Sequence, residues 1–382
     1  MTSGESAQPP EPPVPRPASP GAFVKNLLGY LFAAACLVWV FHDVGFHELA
    51  AHMKTIVWWV VGAGIACDIL SYLCQGFRWK MLLRPTGNLP VLRTTQAIYV
   101  GLFTNEIIPL RVGELVRMFL VSRWLRVEFI AILPSYMVER MLDAIWLALA
   151  VGLVALFVPL PHELIVGEEV LGVLILILTA VFTIAVLKKG STRPADASPI
   201  PAAPAVSSSA RGARPATAPT APDSARDGRP LGFVSRVVAE MAGGLQRIGL
   251  SRNFFLAALG SAGILVFQIL AFWLIMVAMG IPLSVWQGAV ALLIVHMGTA
   301  IPNAPSNVGS YQFFTVVALA VFGVDKTAAA SFSVVAFVLL TVPLWVIGIV
   351  ALRRTGMGFS EVRAEAAKLG GKWRNSVPRP RV

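Results

Sequence analysis

Long apolar runs separated by short polar segments dominate the chain. Runs of roughly 17–25 residues are long enough to cross a hydrocarbon core about 30 Å thick. Such runs predict six membrane-spanning helices, at residues 22–41, 55–77, 130–157, 170–187, 253–279 and 327–352. The pattern therefore predicts an all-α polytopic membrane protein.

Two further apolar segments, residues 89–122 and 282–322, are each interrupted by a break that contains proline. The arm at residues 112–122 has 11 residues, about 16 Å of helix, which is too short to cross a membrane unaided. We predict a re-entrant helical hairpin for each segment, which is tolerated where the broken backbone lines a cavity or is buried in protein. Two tightly packed full spans per segment, giving eight or more spans in total, are the alternative.

The two breaks share the pattern P-x-x-V-G. The first is PLRVG at residues 109–113 and the second is PSNVG at residues 305–309, an offset of 196 residues. Counting the predicted spans places the two hairpins on opposite faces of the membrane, so the halves form an inverted repeat. Inverted repeats are typical of secondary transporters, whose substrate sites lie near the midplane where broken helices meet.

Polar segments divide the predicted membrane region. Residues 1–20 are predicted to be a disordered cytoplasmic tail, and residues 188–252 a disordered basic linker, because Pro, Ala and Ser dominate residues 191–230. The two membrane halves are residues 21–187 and 253–352, and a basic tail, residues 353–382, follows. No cleavable signal peptide is predicted, because no small-residue cleavage site follows the first apolar run.

Composition and charge agree with this organisation. The chain is 56% hydrophobic and 13% charged, with mean hydropathy +0.73 and net charge +11. The basic residues concentrate in segments that the span count places on one side, for example four between Arg78 and Arg93 with no acid. The positive-inside rule then predicts the cytoplasmic membrane with both termini in the cytoplasm, and no nucleic-acid partner. Cys36, Cys67 and Cys74 lie within spans, which predicts no disulfide framework and no zinc site.

The first break carries most of the candidate chemistry. The stretch TNEIIPLRVGELVR, residues 104–117, holds Glu106, Arg111, Glu114 and Arg117 in an otherwise apolar region. A helix beginning there would present free backbone N–H groups and a positive dipole end, where an anion fits. Arg111 and Arg117 are therefore candidate ligands for a phosphate-bearing head group, and Gly113 permits close approach. The alternative is an ion-pair cluster that braces the break, with Glu114 pairing with Arg117 at i,i+3.

A second charged group lies in YMVERMLDAIW, where Arg140 can reach Asp143 at i,i+3 and Glu139 lies one turn from Asp143. These residues form either a second wall of the same polar cavity or an intrahelical pair that stabilises packing, and Asp68 is open to both interpretations. The polar positions of the second hairpin are neutral, which indicates hydrogen bonding: His296, Asn303, Asn307 and Gln312.

These residues resemble the lysylphosphatidylglycerol synthase transmembrane region, also called the flippase-like domain. NEIIPLRVGELVR is similar to its N-x-x-x-P-x-R-x-G-E-x-x-R motif, ERMLD to its E-R-x-x-D motif, and PSNVGSYQ to its second glycine turn. The resemblance covers about residues 21–352, with Gln312 standing where the family commonly has glutamate. Some relatives add a cytoplasmic aminoacyl-transferring domain, whereas about 30 residues follow Leu352 here. The resemblance thus implies the stand-alone membrane region and lipid translocation.

The sequence predicts a transporter that moves a membrane phospholipid or related amphiphile between leaflets, and no enzyme. HELAAH spaces its histidines wrongly for a zinc-protease helix, and there is no Walker-type phosphate loop, so no metal and no cofactor is predicted. Two rival functions stay open. One is a carrier of small anionic solutes, and the other is a non-transporting scaffold for lipid-synthesising enzymes of the envelope.

Overall fold

The computed structural model describes residues 20–42, 44, 56–108, 112–157, 241, 243–299, 305–356 and 361. Regular structure in this part of the chain is entirely helical. The long elements are α1 (Pro20–Phe41), α2 (Trp58–Leu83), α3 (Val91–Ile107), α4 (Gly113–Leu125), α5 (Phe129–Ala155), α6 (Arg252–Ala278), α7 (Val285–Gly298), α8 (Ser310–Ala320) and α9 (Lys326–Arg353), with a 3-10 turn at Pro305–Asn307 between α7 and α8.

Helices occupy five of the six predicted spans, and the sixth, residues 170–187, lies outside the described residues. Three of the helices, α2, α6 and α9, are both long enough and apolar enough to cross a membrane. The 27 residues of α5 give it similar length, but it carries Glu139, Arg140 and Asp143. The described chain is therefore that of an all-α, multi-pass membrane protein.

The second predicted span ends too early. Its predicted limit is residue 77, whereas α2 continues to Leu83 and takes Arg78 into the interior, where its exposed fraction is 2%. Arg78 was counted with the basic residues of a cytoplasmic loop, and this was wrong. Carboxylates on a neighbouring helix compensate its charge, so the helix does not have to end before it. The positive-inside count for this loop rests on Lys80, Arg84 and Arg93.

The first hairpin consists of α3 and α4, whose connecting residues 109–111 lie outside the described residues. The two arms approach closely, because a Cβ added at Gly113 would overlap the carbonyl oxygen of Gly101. The backbone N–H of Gly113 donates to Oδ1 of Asn105 at 2.7 Å. The first free N–H of α4 is thus satisfied from within the hairpin.

The second hairpin consists of α7 and α8. Between them Ser306 and Asn307 have φ of 56° and 52°, and Gly309 has φ of 88°. Gly309 also lies against α1, so that a Cβ there would overlap the carbonyl oxygen of Ala33. Oε1 of Gln312 accepts from the backbone N–H of Gly309 at 2.7 Å and caps α8. Glycine is required at position 309 both by its backbone angle and by this contact.

The tips of the two hairpins meet. The Ser306 hydroxyl donates to the carbonyl oxygen of Glu106 at 3.1 Å, which joins the end of α3 to the 3-10 turn before α8.

At one end of the bundle, the start of α2 contacts the end of α6, and the end of α5 contacts the start of α7. The backbone N–H of Val57 donates to the carbonyl oxygen of Ala278 at 3.0 Å, and the rings of Phe157 and Trp286 stack with centroids 4.3 Å apart.

The opposite end of the bundle is defined by two other contacts. Arg84 donates to Asn253 at 3.4 Å, and Gln96 donates to the carbonyl oxygen of Ala351 at 2.9 Å. These contacts bring together the end of α2, the start of α6, the beginning of α3 and the end of α9. The first hairpin therefore opens at this end of the bundle, and the second hairpin opens at the end where α2 begins.

Helix bounds repeat along the chain at the offset of the two breaks. Adding 196 to the bounds of α2–α5 gives 254–279, 287–303, 309–321 and 325–351. The observed bounds of α6–α9 are 252–278, 285–298, 310–320 and 326–353. The order of long helix, short helix, short helix and long helix thus occurs twice.

The predicted disordered linker, residues 188–252, extends too far at its end. Residues 243–248 are helical, and the side chain of Ile248 is buried against Met81 and Val138. Gly244 lies close enough to Pro134 for an added Cβ to overlap the proline ring. Apolar residues one turn apart give this short helix a face to bury, which composition averaged over the whole linker concealed. Residues 188–240 lie outside the described residues.

Candidate functional site

Charged side chains from three helices converge inside the bundle. We call them the arginine cluster: Arg78 from α2, Glu114 and Arg117 from α4, and Glu139, Arg140 and Asp143 from α5. The cluster contains three guanidinium groups and three carboxylates, so its formal charges balance.

Glu139 lies at the centre of the cluster and is fully buried, with 0% exposed. Its Oε1 accepts from Arg78 Nη2 at 2.7 Å, from Arg117 Nη1 at 3.2 Å and from Arg140 Nη2 at 3.2 Å. One carboxylate therefore ties α2 and α4 to α5.

Each arginine has a further partner around this centre. Arg78 donates to Asp143, and to the hydroxyl of Ser261 on α6 at 3.2 Å. The predicted i,i+3 pairs are both present, with Arg117 Nε 2.7 Å from Glu114 Oε2 and Arg140 Nη2 3.2 Å from Asp143 Oδ2. The two charged groups contact each other through Arg117 and Glu139, as in the alternative that placed both in one polar region.

Aromatic rings hold Arg117 in place. Its guanidinium carbon lies 4.7 Å from the centroid of Trp79 and 5.4 Å from that of Tyr136. The indole N–H of Trp79 donates to the Ser135 hydroxyl at 3.3 Å, which fixes the orientation of that ring. Arg117 is therefore positioned by stacking as well as by its carboxylates.

The cluster has a buried interior and an exposed edge. The side chains of Arg140 and Asp143 are 44% and 38% exposed, whereas those of Arg78 and Arg117 are almost completely buried. The buried arginines still have spare donor capacity. Arg78 Nε has no hydrogen-bond partner in the described part of the chain, and Arg117 Nη2 lies near two carboxylates without alignment to either. Charges at this depth are costly and are typical of functional positions.

The remaining predicted site residues lie elsewhere or take other roles. Glu106 accepts from the Ser306 hydroxyl through its backbone carbonyl oxygen, and it therefore belongs to the contact between the hairpins and not to the arginine cluster. Asn307 forms part of the left-handed turn, and its carbonyl oxygen accepts from Ser310 at 2.9 Å. Gln312 is a helix cap and Gly113 a packing position, as described above. Arg111 and Asn303 lie outside the described residues.

Sequence reasoning missed several contributors to the site. Arg78, Trp79, Tyr136 and Ser261 were not singled out, although an arginine inside the apolar run that ends in GFRWK was an available signal for the first of them. The start of α4 was predicted as an anion site because of its free N–H groups. Asn105 accepts from the Gly113 N–H, so this end of the helix dipole is partly occupied.

Fold and site together define a class: a multi-pass helical membrane protein with paired broken helices and a buried cluster of arginines and carboxylates. The family model for the lysylphosphatidylglycerol synthase TM region matches residues 26–348. The chain belongs to that family, which relates it to lipid modification or transport in membranes. The comparison with curated proteins gave no match.

Proposed function

We propose that this protein translocates a phospholipid or related amphiphile between the leaflets of the cytoplasmic membrane, and that it binds the anionic head group at the arginine cluster. One observation carries the proposal. Three arginines from three helices converge on a buried carboxylate, and two of their donors, Arg78 Nε and Arg117 Nη2, have no aligned hydrogen-bond partner in the described part of the chain. Arginine binds phosphate through a planar fork of N–H donors, so these donors suit a phosphate ester.

An entering phosphate has to replace a carboxylate, because the cluster is neutral as it stands. Asp143 is the best candidate to leave, since it is the most exposed of the three carboxylates and contacts both Arg78 and Arg140. Its departure would free donors on both arginines while Glu139 keeps the buried centre compensated. Met137, one helical turn before Arg140 on α5, is also exposed, and an apolar side chain next to a charged edge suits an amphiphile.

An inverted repeat would supply the movement. The repeat of helix bounds, and the opening of the hairpins at opposite ends of the bundle, support this arrangement. We infer six spans and two re-entrant hairpins with both termini in the cytoplasm. The hairpin tips meet at Glu106 and Ser306, so a shift of one hairpin against the other changes which end of the bundle is open.

The test is a flipping assay on the purified protein in liposomes that contain head-group-labelled phospholipids. Arg117→Gln should slow flipping at least about tenfold, the equivalent of one charge-assisted hydrogen bond. Arg117→Lys should restore only part of the rate, because lysine lacks the bidentate fork. The matched control is Arg123→Gln, which removes an exposed arginine from the same helix and should leave the rate unchanged.

Asp143→Asn provides a second arm of the assay. If Asp143 gives way to phosphate, its amide variant should lower the half-saturating concentration of the lipid.

Three outcomes would contradict the proposal. If Glu114→Gln together with Arg117→Gln restores both stability and rate, the cluster is purely structural. Uptake of inorganic phosphate without movement of any lipid would identify a carrier of small anions. A folded protein that moves neither would favour a scaffold for lipid-synthesising enzymes.

A further inference from the structure

A second polar group lies in the membrane region, separate from the arginine cluster. Asp68 occupies the middle of α2, ten residues before Arg78, which is about 15 Å along the helix axis. Only 6% of Asp68 is exposed. The hydroxyl of Ser71 donates to the backbone carbonyl of Asp68, and therefore not to its carboxylate.

No cation pairs with Asp68 in the described part of the chain. The charge of Asp68 acts on tyrosines from three helices, Tyr72 on α2, Tyr99 on α3 and Tyr311 on α8. A second carboxylate, Glu106, also acts on Tyr72. Helix α6 packs closely on this part of α2, where Gly64 faces the carbonyl oxygen of Ala271 and the side chain of Ile275. The group therefore has negative charge and hydroxyls but no described positive charge.

Tyr99 adds an independent observation. It is 4% exposed, and its hydroxyl has no hydrogen-bond partner among the residues that the structure describes. Its ring packs on that of Tyr72, with centroids 5.1 Å apart, and Tyr72 lies one helical turn from Asp68. A buried hydroxyl is normally hydrogen-bonded, so an unsatisfied one beside an unpaired carboxylate indicates a missing ligand.

We propose that Asp68, together with the hydroxyl of Tyr99, binds a monovalent cation, either sodium or a proton. A cation neutralises the carboxylate, and its binding satisfies oxygen atoms that have no partner among the described residues. Tyr99 belongs to α3 of the first hairpin and Tyr311 to α8 of the second, so occupancy of the site depends on how the hairpins are arranged. Coupling of this cation to lipid movement rests on the proposed function, whereas binding of the cation does not.

The experiment measures the melting temperature of the purified full chain in detergent. Sodium chloride is titrated against choline chloride at constant ionic strength, and the titration is repeated from pH 5 to pH 9. A sodium site predicts a melting temperature that rises with sodium and not with choline, since a ligand of the folded state stabilises it. A proton site predicts no effect of sodium and a melting temperature that falls as pH rises, because deprotonation leaves an uncompensated charge in the bundle.

Asp68→Asn should abolish whichever response the wild type shows. Tyr99→Phe removes only the hydroxyl and should shift the half-saturating cation concentration by about fivefold, as for one lost hydrogen bond. If Asp68→Asn does not fold, Tyr99→Phe still tests whether this group binds the cation. The control is Asp325→Asn, which changes an exposed capping carboxylate of α9 and should preserve the response.

A wild-type response that persists in both Asp68→Asn and Tyr99→Phe would overturn the proposal, and so would the absence of any response in the wild type. Neither result bears on the arginine cluster, because the readout is cation binding and not lipid movement. Failure of this inference and failure of the proposed function are therefore distinguishable.

Discussion

Three arginines share Glu139, and the cluster therefore depends more on this carboxylate than on the other two. Arg78, Arg117 and Arg140 each donate to its Oε1. Glu114, by contrast, is partly exposed, and among the described residues it pairs only with Arg117. The two carboxylates differ in their contribution to the stability of the cluster because of burial: water can replace a lost partner at Glu114 but cannot do so at Glu139.

The first prediction compares these two residues. Glu139→Gln should lower the free energy of unfolding by about 3–5 kcal/mol, since it leaves buried guanidinium charges without compensation. Glu114→Gln should lower it by about 1 kcal/mol. Denaturant unfolding in detergent, followed by tryptophan fluorescence, measures both. Equal losses would show that the burial of Glu139 does not govern its contribution.

At the scale of single residues, the pairs within one helix were predictable and those between helices were not. Glu114 with Arg117 and Arg140 with Asp143 follow from i,i+3 spacing, which any helix enforces. Arg78 and Glu139 are 61 positions apart, and no local pattern connects them.

At the scale of elements, the hairpins are held by glycine contacts and side-chain caps. Gly113 lies against the Gly101 carbonyl and donates to Asn105, while Gly309 lies against α1 and donates to Gln312. The two breaks thus use the same device, an amide side chain that accepts from the glycine N–H. The position of the glycine in P-x-x-V-G follows from this geometry.

The second prediction tests the first break. Gly113→Ala should destabilise the protein strongly and impair membrane expression, because its Cβ would overlap Gly101 and lie 2.6 Å from Asn105 Oδ1. Gly62→Ala is the control, since nothing lies within 4 Å of a Cβ there and alanine favours the helix by up to about 1 kcal/mol. Detergent-extracted yield and melting temperature measure the effect. If the two variants behave alike, α3 and α4 do not pack as closely as described.

At the scale of the whole molecule, the two ends of the bundle differ in character. Arginines gather where the first hairpin opens: Arg84, Arg93, Arg123 and Arg353. Exposed tryptophans lie at the other end, where α2 and α7 begin: Trp58, Trp59 and Trp286. Tryptophans at a membrane interface and arginines on the cytoplasmic side are the expected distribution.

The third prediction concerns orientation. In a background where the native cysteines are serine, Leu156→Cys should react with an impermeant thiol reagent in intact cells, since it is exposed at the tryptophan end. Asn88→Cys, in the exposed turn between α2 and α3, should react only after permeabilisation. From the sequence alone, Gly45→Cys is expected to behave like Leu156→Cys, and Ser208→Cys like Asn88→Cys. Labelling of Asn88→Cys in intact cells would reverse the orientation and contradict the cytoplasmic termini.

Properties that depend on neighbours along the chain could be predicted without a structure. The lengths of apolar runs predicted the helices, proline and glycine predicted the two breaks, and the i,i+3 spacing predicted two ion pairs. These succeed because a helix in a membrane must satisfy its own backbone, whatever packs beside it.

Contacts between distant side chains, by contrast, depend on how the helices pack. Arg78 belongs to the arginine cluster and not to the predicted loop. Glu106 contacts the second hairpin, and the charge of Asp68 acts on Tyr99. The reason is physical. A contact between helices depends on the depth and rotation at which each helix packs, and these are set by close approaches such as that of Gly76 to Thr95, which no periodicity along one helix encodes.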